Sequence, residues 1–114
     1  MREIKAYIRA SREPDVVHAL RDAGIRHLAL NHVRSLGVPA IDPQEAELSL
    51  EAEAQVMDVV KLELVCAEAD VQRLVTVIRR CAHTGEPGDG LIFVLPVDRA
   101  VKIRTGEEGR AAVR

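Results

Sequence analysis

The chain alternates between two hydrophobic periods, and the order of these periods restricts the fold more than any other feature of the sequence. From Arg2 to Arg9 and from Val59 to Cys66, apolar and polar residues alternate with the period of two that is typical of a half-buried strand. From Asp15 to Gly24 and from Asp70 to Ala82, apolar residues recur every three or four positions, as on one face of a helix. The sequence therefore predicts two pairs of a strand followed by a helix.

Three further short stretches predict strands, at about His27 to Arg34, Leu91 to Leu95 and Ala100 to Arg104. We therefore predict an α+β fold, a ferredoxin-like βαββαβ sandwich with an extra C-terminal strand and with both helices on one face of the sheet. The other face of such a sheet is normally covered, and we expect further copies of the chain to cover it in an oligomer.

Length and composition bound the class of protein. The chain has 114 residues, of which 47% are hydrophobic, and this predicts one domain, 1–114, with an aliphatic core, since there is no Trp, one Phe and one Tyr. A net charge of −2 and the shortage of aromatic residues argue against nucleic-acid binding. The sequence contains no long apolar run and no export signal, so we expect a cytoplasmic location without membrane insertion. We expect Cys66 and Cys81 to be small buried hydrophobic residues.

The stretch from Thr84 to Gly106 contains the clearest candidate for a binding site. Its Gly88-Asp89-Gly90 turn lets the backbone approach a phosphate group closely, and Lys102 and Arg104 would project from one face of the predicted last strand. The alternative for the glycine residues is an ordinary turn between a helix and a strand. Taken with the two cations, the turn predicts an anion-binding site.

A long segment without a core pattern separates the two halves of the chain, between Gly37 and Asp58. Loops of about twenty residues in compact domains are usually functional or disordered. No Lys or Arg occurs from Val38 to Asp58, and the acidic residues in this range are Asp42, Glu45, Glu47, Glu51, Glu53 and Asp58. One interpretation is a solvated disordered segment. The other is a loop whose acidic residues bind a basic partner surface or divalent cations.

The C-terminal stretch also carries a specific motif, which comprises Thr84-Gly85, Gly88-Asp89-Gly90, Ile92-Phe93-Val94, Pro96-Val97 and Ile103 to Glu107. Together with Ile4 to Arg9, the Ala23-Gly24-Ile25 helix end and Val33 to Gly37, this motif closely resembles the PII signal-transduction proteins, over nearly the whole chain except the loop. The resemblance implies a homotrimer of ferredoxin-like protomers that binds ATP or ADP in clefts between subunits. It also implies a long T-loop, here about residues 37–58, that docks on membrane transporters, enzymes or transcription factors.

The resemblance further implies which residues bind the nucleotide. The matching positions are Gly37, Val38, Val65, Thr84, Gly88, Asp89, Gly90, Lys102 and Arg104, with Lys102 in the place of a second arginine. The chain departs from the family pattern at Leu91, Val59 and Pro39, where a basic residue, a lysine and a magnesium-binding glutamine are usual. Since each charge-assisted contact contributes roughly 1.5–3 kcal/mol, strong binding of Mg-ATP and of 2-oxoglutarate is not expected.

Two functions remain open from the sequence. The first is a regulatory trimer that binds an adenine nucleotide, ADP, AMP or ATP, and presents its acidic loop to a membrane transporter or an enzyme. The second is a relative of the same fold that has lost nucleotide sensing and binds a metal or another small anion. The four histidines lack the spacing of metal ligands, although His83 precedes the glycine turn. No nucleophile with a neighbouring base is identifiable, so an enzyme is not expected.

Overall fold

The structure is a computed structural model that describes residues 1–37 and 55–113. Its strands are β1 (Arg2–Arg9), β2 (Ala29–Gly37), β3 (Gln55–Cys66) and β4 (Leu91–Pro96), and its helices are α1 (Glu13–Asp22) and α2 (Val71–Ala82). Short 3-10 turns cover Ala10–Arg12, Glu68–Asp70 and Gly109–Val113. In the described part of the chain, no helix is long and apolar enough to cross a bilayer.

The four strands form one antiparallel sheet in the order β2-β3-β1-β4. Strands β1 and β3 lie in the centre, where Ile4 is opposite Leu64 and Ile8 is opposite Val60. This order and the sequence of elements confirm the predicted α+β ferredoxin-like βαββαβ arrangement.

The core lies between the sheet and the two helices. Every second side chain of the central strands points into it, because apolar and polar residues alternate along these strands. The fully buried side chains come from β1, β3 and both helices, and they include Ile4, Ile8, Val16, Leu20, Val60, Leu62, Leu74 and Ile78. Burying each such side chain contributes about 1.5–3 kcal/mol. Cys66 belongs to this core, and burial raises the pKa of its thiol, whereas Cys81 is half-buried at the edge. The expectation of a buried hydrophobic role is confirmed for Cys66.

Helix α1 ends in a glycine cap that turns the chain back toward the sheet. The Ile25 amide donates to the Leu20 carbonyl and the Gly24 amide to the Arg21 carbonyl, both at 3.0 Å. This pair of bonds is the Schellman motif, which requires a left-handed residue, and Gly24 supplies it with φ +96°. The sequence predicted this stop at Gly24, although the helix begins at Glu13 rather than at Asp15.

The face of the sheet opposite the helices is open. Leu91, Phe93 and Leu95 of β4 are exposed there by 63%, 45% and 36%. Beside them, β1 and β3 carry a ladder of charged side chains, in which Lys61 lies 3.2 Å from Glu63 and Lys5 lies 3.9 Å from Glu3. The hydrogen bond from Lys61 lowers the pKa of the Glu63 carboxyl. This face is thus apolar along one edge and charged along the centre.

The predicted extra strand from Ala100 to Arg104 is wrong. In its place, Val101 forms a single bridge with Glu108, and residues 103–105 form a turn. The Lys102 amide donates to the Glu107 carbonyl at 2.8 Å, and the Gly106 amide donates to the Lys102 carbonyl at 2.7 Å. The segment therefore folds back on itself instead of continuing as a strand. Gly106 permits this turn because a glycine readily adopts its φ of +76°.

Two other boundaries also differ from the predictions. Strand β2 begins at Ala29, so His27 lies before it, and the strand continues to Gly37. Strand β3 begins at Gln55, and its first residues pair with the end of β2, as Met57 does with Ser35. Part of the predicted loop, from Gln55 to Asp58, is therefore strand.

Candidate functional site

The glycine turn connects the end of α2 to β4, and the Asp89 carboxylate holds it together. The backbone amides of Thr84 and Gly85 each donate to Asp89 Oδ2 at 2.9 Å, and the Thr84 hydroxyl donates to Asp89 Oδ1. Aspartate side chains form such bonds to nearby backbone in turns. The carboxylate thus joins the beginning of the turn to its end.

Arg9, at the end of β1, fastens this turn to the sheet. Its Nε donates to Asp89 Oδ1 at 3.0 Å, and its Nη2 donates to the carbonyls of Pro87 at 2.7 Å and Glu86 at 3.3 Å. The Thr84 hydroxyl, the Thr84 amide and Arg9 hold the pKa of Asp89 well below its usual range, since all three favour the ionised carboxylate. The turn is therefore a preorganised element rather than a loose connection.

Gly88 and Gly90 have steric reasons to be glycine. A β carbon on Gly90 would lie 1.8 Å from the Tyr7 carbonyl oxygen, and a β carbon on Gly88 would lie 2.8 Å from Met57 Sδ. Both residues also have positive φ, +102° at Gly88 and +94° at Gly90. The turn thus packs directly on the backbone of β1 and on a side chain at the start of β3.

The turn also contains backbone donors that lack an acceptor outside strand pairing in the described part of the chain. Among residues 1–37 and 55–113, the amides of Gly88, Asp89 and Gly90 have no hydrogen-bond acceptor outside regular strand pairing. Gly88 and Gly90 are exposed. Successive free amides in a turn of alternating backbone hand form a concave anion site, so this arrangement suits a phosphate or carboxylate group.

A small cavity lies beside the turn, between the end of α2 and the β1–β4 pair. Its volume is about 150 Å³, and its lining includes Tyr7, Arg79, His83, Asp89 and Leu91. His83 Nδ1 lies 3.6 Å from Asp89 Oδ2. The sequence placed His83 before the turn, and the structure places its ring against the carboxylate that holds the turn.

The structure brings together five of the residues expected to bind the nucleotide. Thr84, Gly88, Asp89 and Gly90 form the turn, and Gly37 pairs with Gln55, two residues before the Met57 that contacts Gly88. All five therefore lie toward one end of the sheet.

Val65 is at the other end of the sheet. It lies opposite Glu3, whereas the turn packs on Tyr7, so about four residues of strand, roughly 13 Å, separate them. Lys102 and Arg104 lie in the C-terminal hairpin and not on a common strand face. In the described part of the chain, no hydrogen bond or ion pair joins their side chains to the turn.

Several predicted residues lie outside the described part of the chain, namely Val38 and the loop acids Asp42, Glu45, Glu47, Glu51 and Glu53. Conversely, sequence reasoning missed Arg9 and Met57. The strand pattern marked Arg9 only as a residue on the polar face of β1. No local signal connected either residue to a turn thirty or eighty positions away.

Comparison with known proteins assigns the chain to a family. Residues 1–107 match the family model described as Nitrogen regulatory protein P-II. The nitrogen regulatory protein P-II of Azospirillum brasilense is 36% identical over 115 residues, which cover 99% of this chain and 100% of that protein. A P-II homolog of Oryza sativa subsp. japonica is 38% identical over 112 residues, covering 98% of this chain but 53% of the rice protein. This chain thus spans about half the length of the rice relative.

A solved structure agrees with these sequence matches. The crystal structure of Arabidopsis thaliana PII bound to citrate superposes with a TM-score of 0.79 at 32% identity, covering 99% of this chain and 89% of that chain. Its fold therefore corresponds to the antiparallel sheet and two helices described above. The family match along nearly the whole chain, the full-length bacterial relative and the shared fold show that this chain belongs to the nitrogen regulatory protein P-II family of signal-transduction proteins.

Proposed function

We propose that this chain is a homotrimeric regulator that binds an adenine nucleotide, ADP, AMP or ATP, with the phosphates on the turn from Thr84 to Gly90. The observation that carries the proposal is the turn itself, which Asp89 and Arg9 hold in place and in which the amides of Gly88, Asp89 and Gly90 have no acceptor outside strand pairing among the described residues. Preorganised donors bind anions well because little ordering remains to be done on binding. The protein acts through binding and does not catalyse a reaction.

Assembly of three copies would complete this site. Within one protomer, Val65 lies at the opposite end of the sheet from the turn, and the hairpin carrying Lys102 and Arg104 is not joined to it. The exposed apolar residues of β4 supply a surface that association would bury. In a trimer with the site between subunits, one protomer would contribute the turn and its neighbour the remaining residues.

The nature of the residue after the turn favours a nucleotide with few phosphates. Leu91 is 63% exposed, and its apolar side chain stands where a basic residue would stabilise a highly charged phosphate chain. Since a charge-assisted contact contributes roughly 1.5–3 kcal/mol, we expect ADP or AMP to be preferred, with a small contribution from Mg²⁺.

The acidic segment would carry the signal to a partner. Residues 38–54 include five acidic side chains and no basic one, so a basic surface on a membrane transporter or an enzyme is the complementary partner. Nucleotide binding would act by changing the populations of conformations that this segment adopts, which requires a ligand that discriminates between them. A cytoplasmic location follows from such a role.

A second candidate ligand is a small anion such as a carboxylate. The solved relative from Arabidopsis thaliana is described as bound to citrate, and the free amides of Gly88 to Gly90 suit a carboxylate as well as a phosphate. A protein of this kind would have lost nucleotide sensing while keeping the fold, and it would respond to a metabolite anion or a metal in connection with carbon or metal transport.

Calorimetry with ADP, AMP, ATP and citrate, with and without Mg²⁺, distinguishes these functions. We expect an adenine nucleotide to bind with a dissociation constant well below 1 mM, which corresponds to about −4 kcal/mol. Arg104→Ala should abolish this binding and leave a trimer in light scattering, whereas Arg12→Ala, which removes an exposed cation on the first 3-10 turn, should bind normally. Binding of citrate alone would support the second candidate, and unchanged affinity in Arg104→Ala would remove Arg104 from the site.

A further inference from the structure

His83 occupies a position from which it can change the charge of the anion-binding turn. Its Nδ1 lies 3.6 Å from Asp89 Oδ2, the same oxygen that accepts the amides of Thr84 and Gly85. The ring also lies near Gly85, since a β carbon built there would be 3.9 Å from both Cε1 and Nε2. The imidazole thus lies beside the turn while 59% of the side chain stays exposed to solvent.

The titratable groups around His83 come from the turn, from β1 and from α2. Asp89, Tyr7 and Arg79 line the same cavity as His83, and Arg9 donates to the other oxygen of the Asp89 carboxylate at 3.0 Å. Protonation of the imidazole adds one positive charge to this group, beside a carboxylate that is already paired with Arg9.

We propose that His83 is a proton-dependent residue of the anion site, so that lower pH strengthens the binding of phosphate-bearing ligands to the turn. A protonated imidazole donates to Asp89, offsets the carboxylate's repulsion of an incoming anion and adds positive charge beside the free amides of Gly88 and Gly90. Histidine is the side chain whose charge normally changes between pH 5 and 8. This inference rests on the proposed nucleotide binding and adds a dependence on proton concentration to it.

The expected change in anion affinity depends on the distance between the His83 charge and the bound phosphate. Because 59% of the His83 side chain is exposed, its charge acts through a dielectric closer to that of water, roughly 60, and one added unit charge at roughly 4–8 Å from a bound anionic charge then changes affinity by about three- to tenfold. The effect is reciprocal, because a bound anion must favour the protonated imidazole by the same factor by which protonation favours the anion.

Calorimetry with ADP between pH 5.5 and 8 tests the proposal in three proteins: wild type, His83→Gln and His18→Gln. His18 is the matched control, since it pairs with Asp22 at 3.4 Å on the exposed surface of α1, away from the turn. The terminal phosphate of ADP also titrates in this range, so the measured quantity is the ratio of affinities between each variant and wild type at the same pH. We expect His83→Gln to match wild type at pH 8 and to bind three- to tenfold more weakly at pH 5.5, while His18→Gln stays equal to wild type throughout.

A second measurement separates charge from structure. In proton NMR, the His83 ring signal should titrate at a higher pH with ADP bound than without it, whereas the His18 signal should not move. Two results would overturn this inference and leave the proposed function standing. One is that ADP binds but the ratio of its affinities for His83→Gln and wild type does not vary with pH. The other is that the titration of the His83 signal is the same with and without ADP. Absence of ADP binding in all three proteins at every pH instead overturns the proposed function, and the inference with it.

Discussion

Replacement of Gly90 by alanine tests how rigidly the glycine turn, residues 84–90, is packed on the sheet. The new β carbon would lie 1.8 Å from the Tyr7 carbonyl oxygen and 2.8 Å from its carbon. Both atoms belong to the backbone of β1, which is held by strands on both sides and cannot move aside as a flexible side chain would. We therefore expect Gly90→Ala to force a shift of the turn or of the central strand.

The chain offers a matched control for this substitution. Gly106 also has a positive φ, +76°, but no atom lies within 4 Å of the position of its β carbon. The left-handed conformation alone costs about 1–2 kcal/mol for alanine, and reduced freedom of the unfolded chain offsets about 0.4–1 kcal/mol of this. Gly106→Ala should thus destabilise the protein by about 1 kcal/mol.

Gly90→Ala adds the clash to the same conformational cost. Overpacking typically costs about 1–3 kcal/mol, so the total should reach about 2–4 kcal/mol. Urea denaturation followed by circular dichroism, at one fixed protomer concentration, measures both variants. With a slope of about 1.5 kcal/mol per molar urea, the midpoint should fall by about 1.3–2.7 M in Gly90→Ala and by less than 1 M in Gly106→Ala. Equal shifts in the two variants would refute the close packing of the turn on β1.

Two further substitutions test what holds the turn together. Asp89→Asn should destabilise the protein at neutral pH, and because the folded state lowers the pKa of Asp89, the loss of stability relative to wild type should be full above about pH 4 and shrink as pH falls below it. Urea titrations at several pH values measure this loss, and Asp15→Asn, at an exposed ion pair, should show little such dependence. A loss that persists undiminished at the lowest pH would contradict the role assigned to the Asp89 carboxylate. Arg9→Leu removes the three hydrogen bonds to Asp89, Pro87 and Glu86, and thermal melts should show a loss of stability of about 1–3 kcal/mol. Arg12→Leu, the control, should change the stability by less than about 0.5 kcal/mol. Equal effects of the two substitutions would show that Arg9 does not hold the turn to the sheet.

The elements that sequence reasoning located well are those whose burial follows a local period. Strand β1 has the predicted bounds, Arg2–Arg9, because its alternate side chains are buried against the helices. Helix α2 likewise ends at Ala82, as its apolar stripe indicated. In such elements the buried residues recur with the period of the strand or the helix, so the hydrophobic pattern of the sequence and the packing against the core agree.

The errors occur where a partner distant in sequence decides the structure. Ala100 to Arg104 has the residues of a strand, yet the glycine at 106 lets the segment pair with residues 107–109 instead. The hairpin of β2 and β3 extends to Gly37 and Gln55 because backbone pairing between the strands continues beyond the residues that pack in the core. Pairing of this kind leaves little trace in hydrophobic periodicity.

The sequence indicated the candidate site but not how the turn is held. The glycines of the turn and the neighbouring Asp89 marked it as a candidate, and the resemblance to the PII family implied an adenine nucleotide as its ligand, which stays a prediction. The structure shows, however, that Asp89 bonds within the turn, and that Arg9, eighty residues earlier in the chain, anchors it. A conformational role of this kind depends on contacts that neither spacing nor charge in the sequence indicates.

The side chain of Met57 occupies the space that a β carbon at position 88 would need. Such a β carbon would lie 2.8 Å from both Sδ and Cε of Met57, so a side chain at position 88 requires the end of the Met57 side chain to move or to be shortened. In a genetic screen, a small residue at 57 should therefore act as a suppressor of the steric part of a substitution at 88, while the strain of its positive φ remains. Relatives that carry a side chain at position 88 are expected to have a smaller residue at position 57, so that the start of β3 and the glycine turn would change together.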